Sequence, residues 1–344
     1  MKRRIAAHVY MEVRSAMPLP WRKTSSAGGQ RLRVFVASDI HGSDVCWRKF
    51  LNAGKFYKAN LLVLAGDVTG KALVPVVELG GNRYEALLMG QRELVADELA
   101  LADLEGRIRF NGFYPYRCSP EEADLLRTDR RARGAAFASA MRATAEDWVA
   151  LADERLRGTG IRCLVMPGND DEWFLEEILA GSESIENHDG RVVDVEGYQV
   201  IGNGWSNPTP WHSAREKPDE EIAADLVPLI EQASGHGPII LNPHVPPYGS
   251  GLDAAPRLRD DLTIVTTAGH PQMEPVGSRA VRDVIERYQP FLSLHGHIHE
   301  SRGVARLGRT VAVNPGSEYN VGRLLGVLVD VVGATVASTQ LVAG

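Results

Sequence analysis

Five short runs of β-branched and apolar residues in this chain each stop at a residue type that ligates metals. Leu32 to Ala37 stops at Ser38-Asp39-Ile40-His41, Asn60 to Ala65 at Gly66-Asp67, and Ile161 to Met166 at Pro167-Gly168-Asn169-Asp170-Asp171. Pro238 to Leu241 runs into Asn242-Pro243-His244, and Phe291 to Leu294 into His295-Gly296-His297-Ile298-His299. Apolar runs of this length, bounded by Gly, Pro and Asn, read as buried strands. In α/β sheets ligands bind in the crevice beyond the carboxyl ends of the strands, so these residues are placed to converge.

Each member has an ordinary alternative: a helix cap for Asp39, a turn for Asp67 or Asn169, a satisfied core residue for His244. Five repetitions of strand followed by ligand argue against reading them separately. Four imidazoles, two carboxylates and an amide oxygen are too many for one tetrahedral metal, and they suit two adjacent cations sharing a bridging acid. Within Gly296-His297-Ile298-His299, a His-x-His on irregular backbone can aim its two rings in different directions.

The rest of the chain limits what surrounds such a site. With 344 residues, 44% apolar and 24% charged, it is long enough for a large core and is neither disordered nor fibrous in composition. The formal charge of -6 and the lack of a basic, aromatic-laced stripe speak against a nucleic-acid platform. Cys46, Cys118 and Cys163 are odd in number and scattered, which predicts free thiols and a reducing compartment. No run has the length of a membrane helix, and the basic start lacks a clean signal core, so a cytoplasmic protein is expected. Residues 1–30, with a Thr/Ser/Gly stretch and scattered prolines, read as a flexible extension of residues 31–344.

Between Gly70 and the third run the pattern changes. Val74 to Val77 and Tyr84 to Met89 have strand character, whereas Arg92 to Glu105, Pro120 to Thr128 and Gly134 to Arg157 are charged, Ala/Leu-rich and helical. We therefore expect residues 78–158 to be an inserted helical subdomain, with Phe110, Phe113, Tyr114 and Tyr116 as its packing and a cap over the site as the functional alternative. Helices are expected over Asp219 to Ala233 and Ser278 to Tyr288, and a long irregular loop over Val245 to Pro275.

The set Asp39-x-His41, Gly66-Asp67, Gly168-Asn169, His244 and Gly296-His297-x-His299 resembles the calcineurin-like metallophosphoesterase superfamily. Ser206-Asn207-Pro208-Thr209-Pro210, His244-Val245-Pro246-Pro247 and Asn314-Pro315-Gly316-Ser317 further resemble a prokaryotic branch of predicted phosphoesterases related to the Icc phosphodiesterase. The resemblance implies two packed β-sheets flanked by helices, a four-layer αββα fold, with the site at one edge. It implies that Asp39, His41 and His299 hold one metal, that Asn169, His244 and His297 hold the other, and that Asp67 bridges them. The cofactors it implies are two divalent ions, Mn or Fe first and Zn as the alternative.

The implied reaction is hydrolysis of a P–O bond by in-line attack of a hydroxide bridging the two metals, with Asp67, Asn169, Asp170 and His244 as the catalytic group. The expected substrate is a small phosphoester, a nucleotide-derived one among the options, and a phosphodiester rather than a monoester; an inactive metal-bound scaffold for protein interaction is the competing class. One position departs from the family pattern: Asp170 stands where many members carry a histidine that protonates the leaving group. A carboxylate beside two cations is a poor general acid, which leaves His212 or His270 as substitutes and Asp171 as a partner for a metal-bound histidine. Arg323, near the last motif, is a candidate to hold phosphate.

Overall fold

The computed structural model describes residues 31–344, and the extension expected over residues 1–30 lies outside the described residues. All five expected strands form, as Arg31–Ala37, Leu61–Leu64, Arg162–Val165, Ile239–Pro243 and Leu292–Leu294. They divide between two six-stranded sheets. The first runs in the order Thr335–Ala343, Leu325–Val332, Arg31–Ala37, Leu61–Leu64, Arg162–Val165, Ile185–Glu186. The second runs Gly303–Leu307, Thr310–Asn314, Leu292–Leu294, Ile239–Pro243, Tyr198–Asn203, Val192–Val195. The central strands of both are parallel; the second sheet has an antiparallel strand at each edge, while the first has antiparallel strands at one edge and the parallel strand Ile185–Glu186 at the other.

The two-residue period of each strand decides how the layers stack. In Arg31–Ala37, Leu32, Val34 and Val36 point to one face and pack with Val63, Leu164, Val200, Ile240, Leu292 and Val313 between the sheets. Phe35 and Ala37 point the other way, into a core shared with the helices Asp44–Tyr57, Arg130–Leu156 and Phe174–Ala180. The outer face of the second sheet is covered by Asp219–Ala233 and Arg279–Tyr288. Helix, sheet, sheet, helix is the four-layer αββα arrangement expected from the resemblance. Because parallel strands share a direction, their carboxyl ends come out at one rim.

The strands expected near Val74 to Val77 and Tyr84 to Met89 form, and the stretch holds two more strands than expected. Ala72–Gly80, Arg83–Leu88, Gln91–Val95 and Phe113–Cys118 form a four-stranded sheet with its own small core of Val74, Val76, Tyr84, Leu88, Leu101, Leu104 and Ile108. Gln91–Val95, expected to open a helix, is an edge strand in a hairpin turned at Met89 and Gly90, both with positive φ. An exposed edge strand carries polar residues on both faces, so its composition imitates a helix surface. The long helix Arg130–Leu156 belongs to the main fold: Ala145, Trp148, Ala152 and Leu156 pack on the first sheet. The loop expected over Val245 to Pro275 is an arm whose base is the pair Ala254–Pro256 and Met273–Pro275, with a second short pair at Thr266–Thr267 and His270–Pro271. Cys46, Cys118 and Cys163 are free and buried. Among the described residues, no helix is long and apolar enough to cross a membrane.

Candidate metal centre

The strand ends bring Asp39, His41, Asp67, Asn169, His244, His297 and His299 to one rim between the sheets. Asp39, His41, Asp67, Asn169 and His244 are buried, while His297 and His299 are half-buried at the floor of a cleft. Four of the seven, Asp39, His41, Asp67 and His297, have left-handed backbone, with φ of 55°, 38°, 53° and 66°. Such conformations cost L residues about 1–2 kcal/mol each and cluster where geometry is held for function.

The donor atoms sort into two groups. In one, His41 Nε2 is 3.1 Å from His299 Nε2, and His299 Nε2 is 3.4 Å from Asp39 Oδ1. In the other, Asn169 Oδ1 is 2.7 Å from His297 Nδ1 and 3.1 Å from His244 Nε2. Asp67 lies between them, with Oδ2 3.5 Å from His41 Nε2 and Oδ1 3.4 Å from His244 Nε2. The rings of His297 and His299 therefore part toward different groups.

Local structure accounts for the approach. A Cβ at Gly296 would run into Ser38 and Asp39, so only glycine lets the last loop cross the first strand end. There the His297 amide donates to both Asp39 oxygens, at 3.0 and 3.1 Å. Asn314 Nδ2 donates to the carbonyls of Gly296 and Ile298, and Ser317 Oγ donates to the Asp39 carbonyl. The Asn314-Pro315-Gly316-Ser317 stretch thus holds the backbone that presents the ligands. His295 is buried and structural: its ring reaches Ser293 and the carbonyls of Pro243 and Val245.

The electrostatics match the grouping. Burial opposes charge on His244, but the Asp67 carboxylate overrides it and raises the imidazole to about 10; burial likewise opposes charge on His299, and Asp39 overrides it upward. Burial lowers His41 and His297 to about 4, so they present neutral rings. Burial pushes the Asp39 and Asp67 carboxyls up, yet the neighbouring imidazolium groups hold both below the usual carboxylate range. Two buried carboxylates thus draw positive charge into a cluster of nitrogen and oxygen donors. Divalent metal binding fits that mixed set of nitrogen and oxygen donors.

Other candidates fall elsewhere. Asp170 is at the rim, 2.6 Å from Lys71 Nζ, and accepts from Ser213 Oγ and Asn169 Nδ2. Asp171 contacts no histidine; it is buried and accepts from the amides of Val68, Thr69 and Gly168, joining the Asp67 and Asn169 loops. His212 and His270 are exposed and neither lines the cleft, and Arg323 pairs with Glu318 at 2.9 Å. Lys71 was not anticipated: it follows a glycine loop that carried no lysine signal, and only folding brings it to Asp170. Tyr319 was also missed, and its ring centroid is 4.8 Å from that of His41.

The cleft above the cluster has a volume of about 1110 Å³. No residue of 78–158 lines it; within that stretch Tyr114 reaches the loop below, its hydroxyl accepting from the Gly70 amide at 2.7 Å.

Uncharacterized protein MJ1162 of Methanocaldococcus jannaschii is 32% identical over 155 residues, which is 44% of this chain and 62% of that protein, so the match spans less than two thirds of the relative. The crystal structure of TT1561 of Thermus thermophilus aligns over 92% of this chain and 99% of that one, at 15% identity and a TM-score of 0.50. A further crystal structure aligns over 91% and 99%, at 15% identity and a TM-score of 0.51. At these identities the similarity is one of fold. No family model matches the chain.

Proposed function

We propose that this chain, which carries the fold of the calcineurin-like metallophosphoesterases, is a dinuclear metal-dependent phosphohydrolase acting on a phosphodiester. The observation that carries the reading is the division of Asp67: one carboxylate oxygen faces His41 and the other faces His244, each within 3.5 Å. Asp39, His41 and His299 would hold one cation, Asn169, His244 and His297 the other, and Asp67 would be shared. Bound there, cations would supply activation of a water and neutralisation of charge on the phosphoryl oxygens.

The remaining work falls to the chain. Lys71 is the cation at the rim, and Asp170 and Ser213 fix where it points. We assign it to a phosphoryl or leaving-group oxygen, where a charge-assisted hydrogen bond compensates for the histidine that Asp170 replaces. Asp39 holds the His297 backbone, accepting from its amide, so that its position does not depend on substrate.

The test is hydrolysis of bis-p-nitrophenyl phosphate with added Mn²⁺. Activity in the wild type that drops at least about a hundredfold in Asp67→Asn and His244→Ala supports the reading; full activity in both variants would sink it.

A further inference from the structure

The cleft continues well past the metal centre, and its volume of about 1110 Å³ lies above the ~300–1,000 Å³ of sites that enclose drug-sized ligands. A phosphate alone leaves most of it unfilled. Its floor is ionic, made by Asp67, Lys71, Asn169, Asp170, His297 and His299. The arm between Ala254 and Pro275 lines the cleft with charged Arg259, Asp260 and Glu274 and also with large apolar side chains. Leu258, Leu262 and Ile264 come from the arm between Ala254 and Pro275, and Trp211 comes from the loop after Pro210.

Leu262, Ile264 and Trp211 are 53%, 46% and 58% exposed, respectively. Single exposed apolar side chains are ordinary, but large ones gathered along one side of a cleft, facing a charged floor, mark a surface that a ligand covers. The arm does not need these residues to hold its shape. At its root Asp253 accepts from the amides of Gly249, Gly251 and Gly277, and Ser301 Oγ donates to the Ala254 carbonyl. Asn207 Nδ2 donates to the Val276 carbonyl, tying the Trp211 loop to the arm. Leu258 and Ile264 are bridged across the arm near its tip, so the apolar face is presented on paired backbone.

We propose that the ester handled at this site carries an aryl-sized apolar group, seated between Trp211 and the Leu258–Leu262–Ile264 face while its phosphoryl group lies at the imidazole–carboxylate floor. This rests on the phosphoesterase reading and adds the chemistry of the group attached to phosphorus.

Binding of non-hydrolysable phosphonates to the full chain with Mn²⁺ separates the two claims. Methylphosphonate, benzylphosphonate and naphthylmethylphosphonate are titrated calorimetrically against wild type, Asp67→Asn and the exposed double variant Leu262→Ser/Ile264→Ser. Burying an aryl group predicts at least about tenfold tighter binding of naphthylmethylphosphonate than of methylphosphonate in wild type. That ratio should shrink in the double variant, and all three ligands should weaken in Asp67→Asn. Equal affinities across the series in wild type, or a ratio unchanged in the double variant, overturns the inference and leaves the phosphoesterase reading standing. No binding by wild type either of these phosphonates or of dimethylphosphinate, a monoanion like a phosphodiester, overturns both.

Discussion

Lys71 Nζ lies 2.6 Å from Asp170 Oδ2 at the rim of the metal centre, across a gap of about one hundred residues in sequence. Burial works against charge on the lysine, and the Asp170 and Asp67 carboxylates overcome it and raise its pKa. The pair places a fixed cation at a position without a histidine, beside the proposed phosphate site. Lys71→Met is therefore expected to lower kcat/KM for a phosphodiester by about 10- to 100-fold, the loss of one charge-assisted hydrogen bond. The loss should be larger for alkyl leaving groups than for p-nitrophenolate, and Lys71→Arg should recover part of it. A uniform loss across leaving groups would place Lys71 away from the leaving oxygen.

Metal binding should be visible as stability. With Mn²⁺ at about one hundred times its Kd, linkage adds ~2.7 kcal/mol, worth roughly 4 °C in Tm for a chain of this size. Chelation should reverse the shift, and Asp67→Asn should reduce it. A Tm indifferent to Mn²⁺ and chelator would count against the centre, whatever the activity.

Two glycines should respond in opposite directions to the same added methyl. A Cβ at Gly66 would overlap the His244 ring, and φ there is 109°. Gly66→Ala is expected to destabilise by at least about 2 kcal/mol and to weaken metal binding. Gly106, inside the helix Glu98–Phe110, has nothing within 4 Å of a built Cβ. Gly106→Ala should stabilise by ~0.5–1 kcal/mol. Denaturant midpoints for both variants check this.

His188 gives a pH dependence away from the metal centre. It is buried with its Nε2 2.9 Å from Asn242 Oδ1, and burial lowers its pKa from 6.5 to about 4. Above pH 6.5 the ring is neutral in both folded and unfolded chains, and the full contribution is present. As pH falls from 6.5 toward 4 the unfolded chain takes up a proton that the folded one refuses, so stability is lost over that window. The gap between 6.5 and about 4 corresponds to about 3 kcal/mol. His188→Gln should flatten the stability–pH curve between pH 4 and 6.5; an unchanged slope would show that the ring is not kept neutral.

The strands and their terminal residues were legible in the sequence because both signals are local. A run such as Leu61–Leu64 is apolar enough to be buried whatever it pairs with, and Gly66-Asp67 follows it by covalent connection alone. Parallel strands then bring such ends to one rim, so the seven residues could be named together. The insertion was legible only in part, since an edge strand like Gln91–Val95 needs no apolar face and resembles a helix surface in composition.

What the chain could not specify locally was which atom faces which. His41 and His299 are separated by 258 residues and meet at 3.1 Å, and Asp67 divides its oxygens between histidines on opposite sides. Those relations depend on sheet order, on glycines small enough for loops to cross, and on left-handed backbone at Asp39, His41, Asp67 and His297. The same holds for Lys71 beside Asp170 and for the apolar residues of the arm that line the same cleft. Residue type and hydrophobic period determine what a strand end can offer; only the packed sheets decide what it meets, because contact between distant segments is fixed by the whole core and not by any one of them.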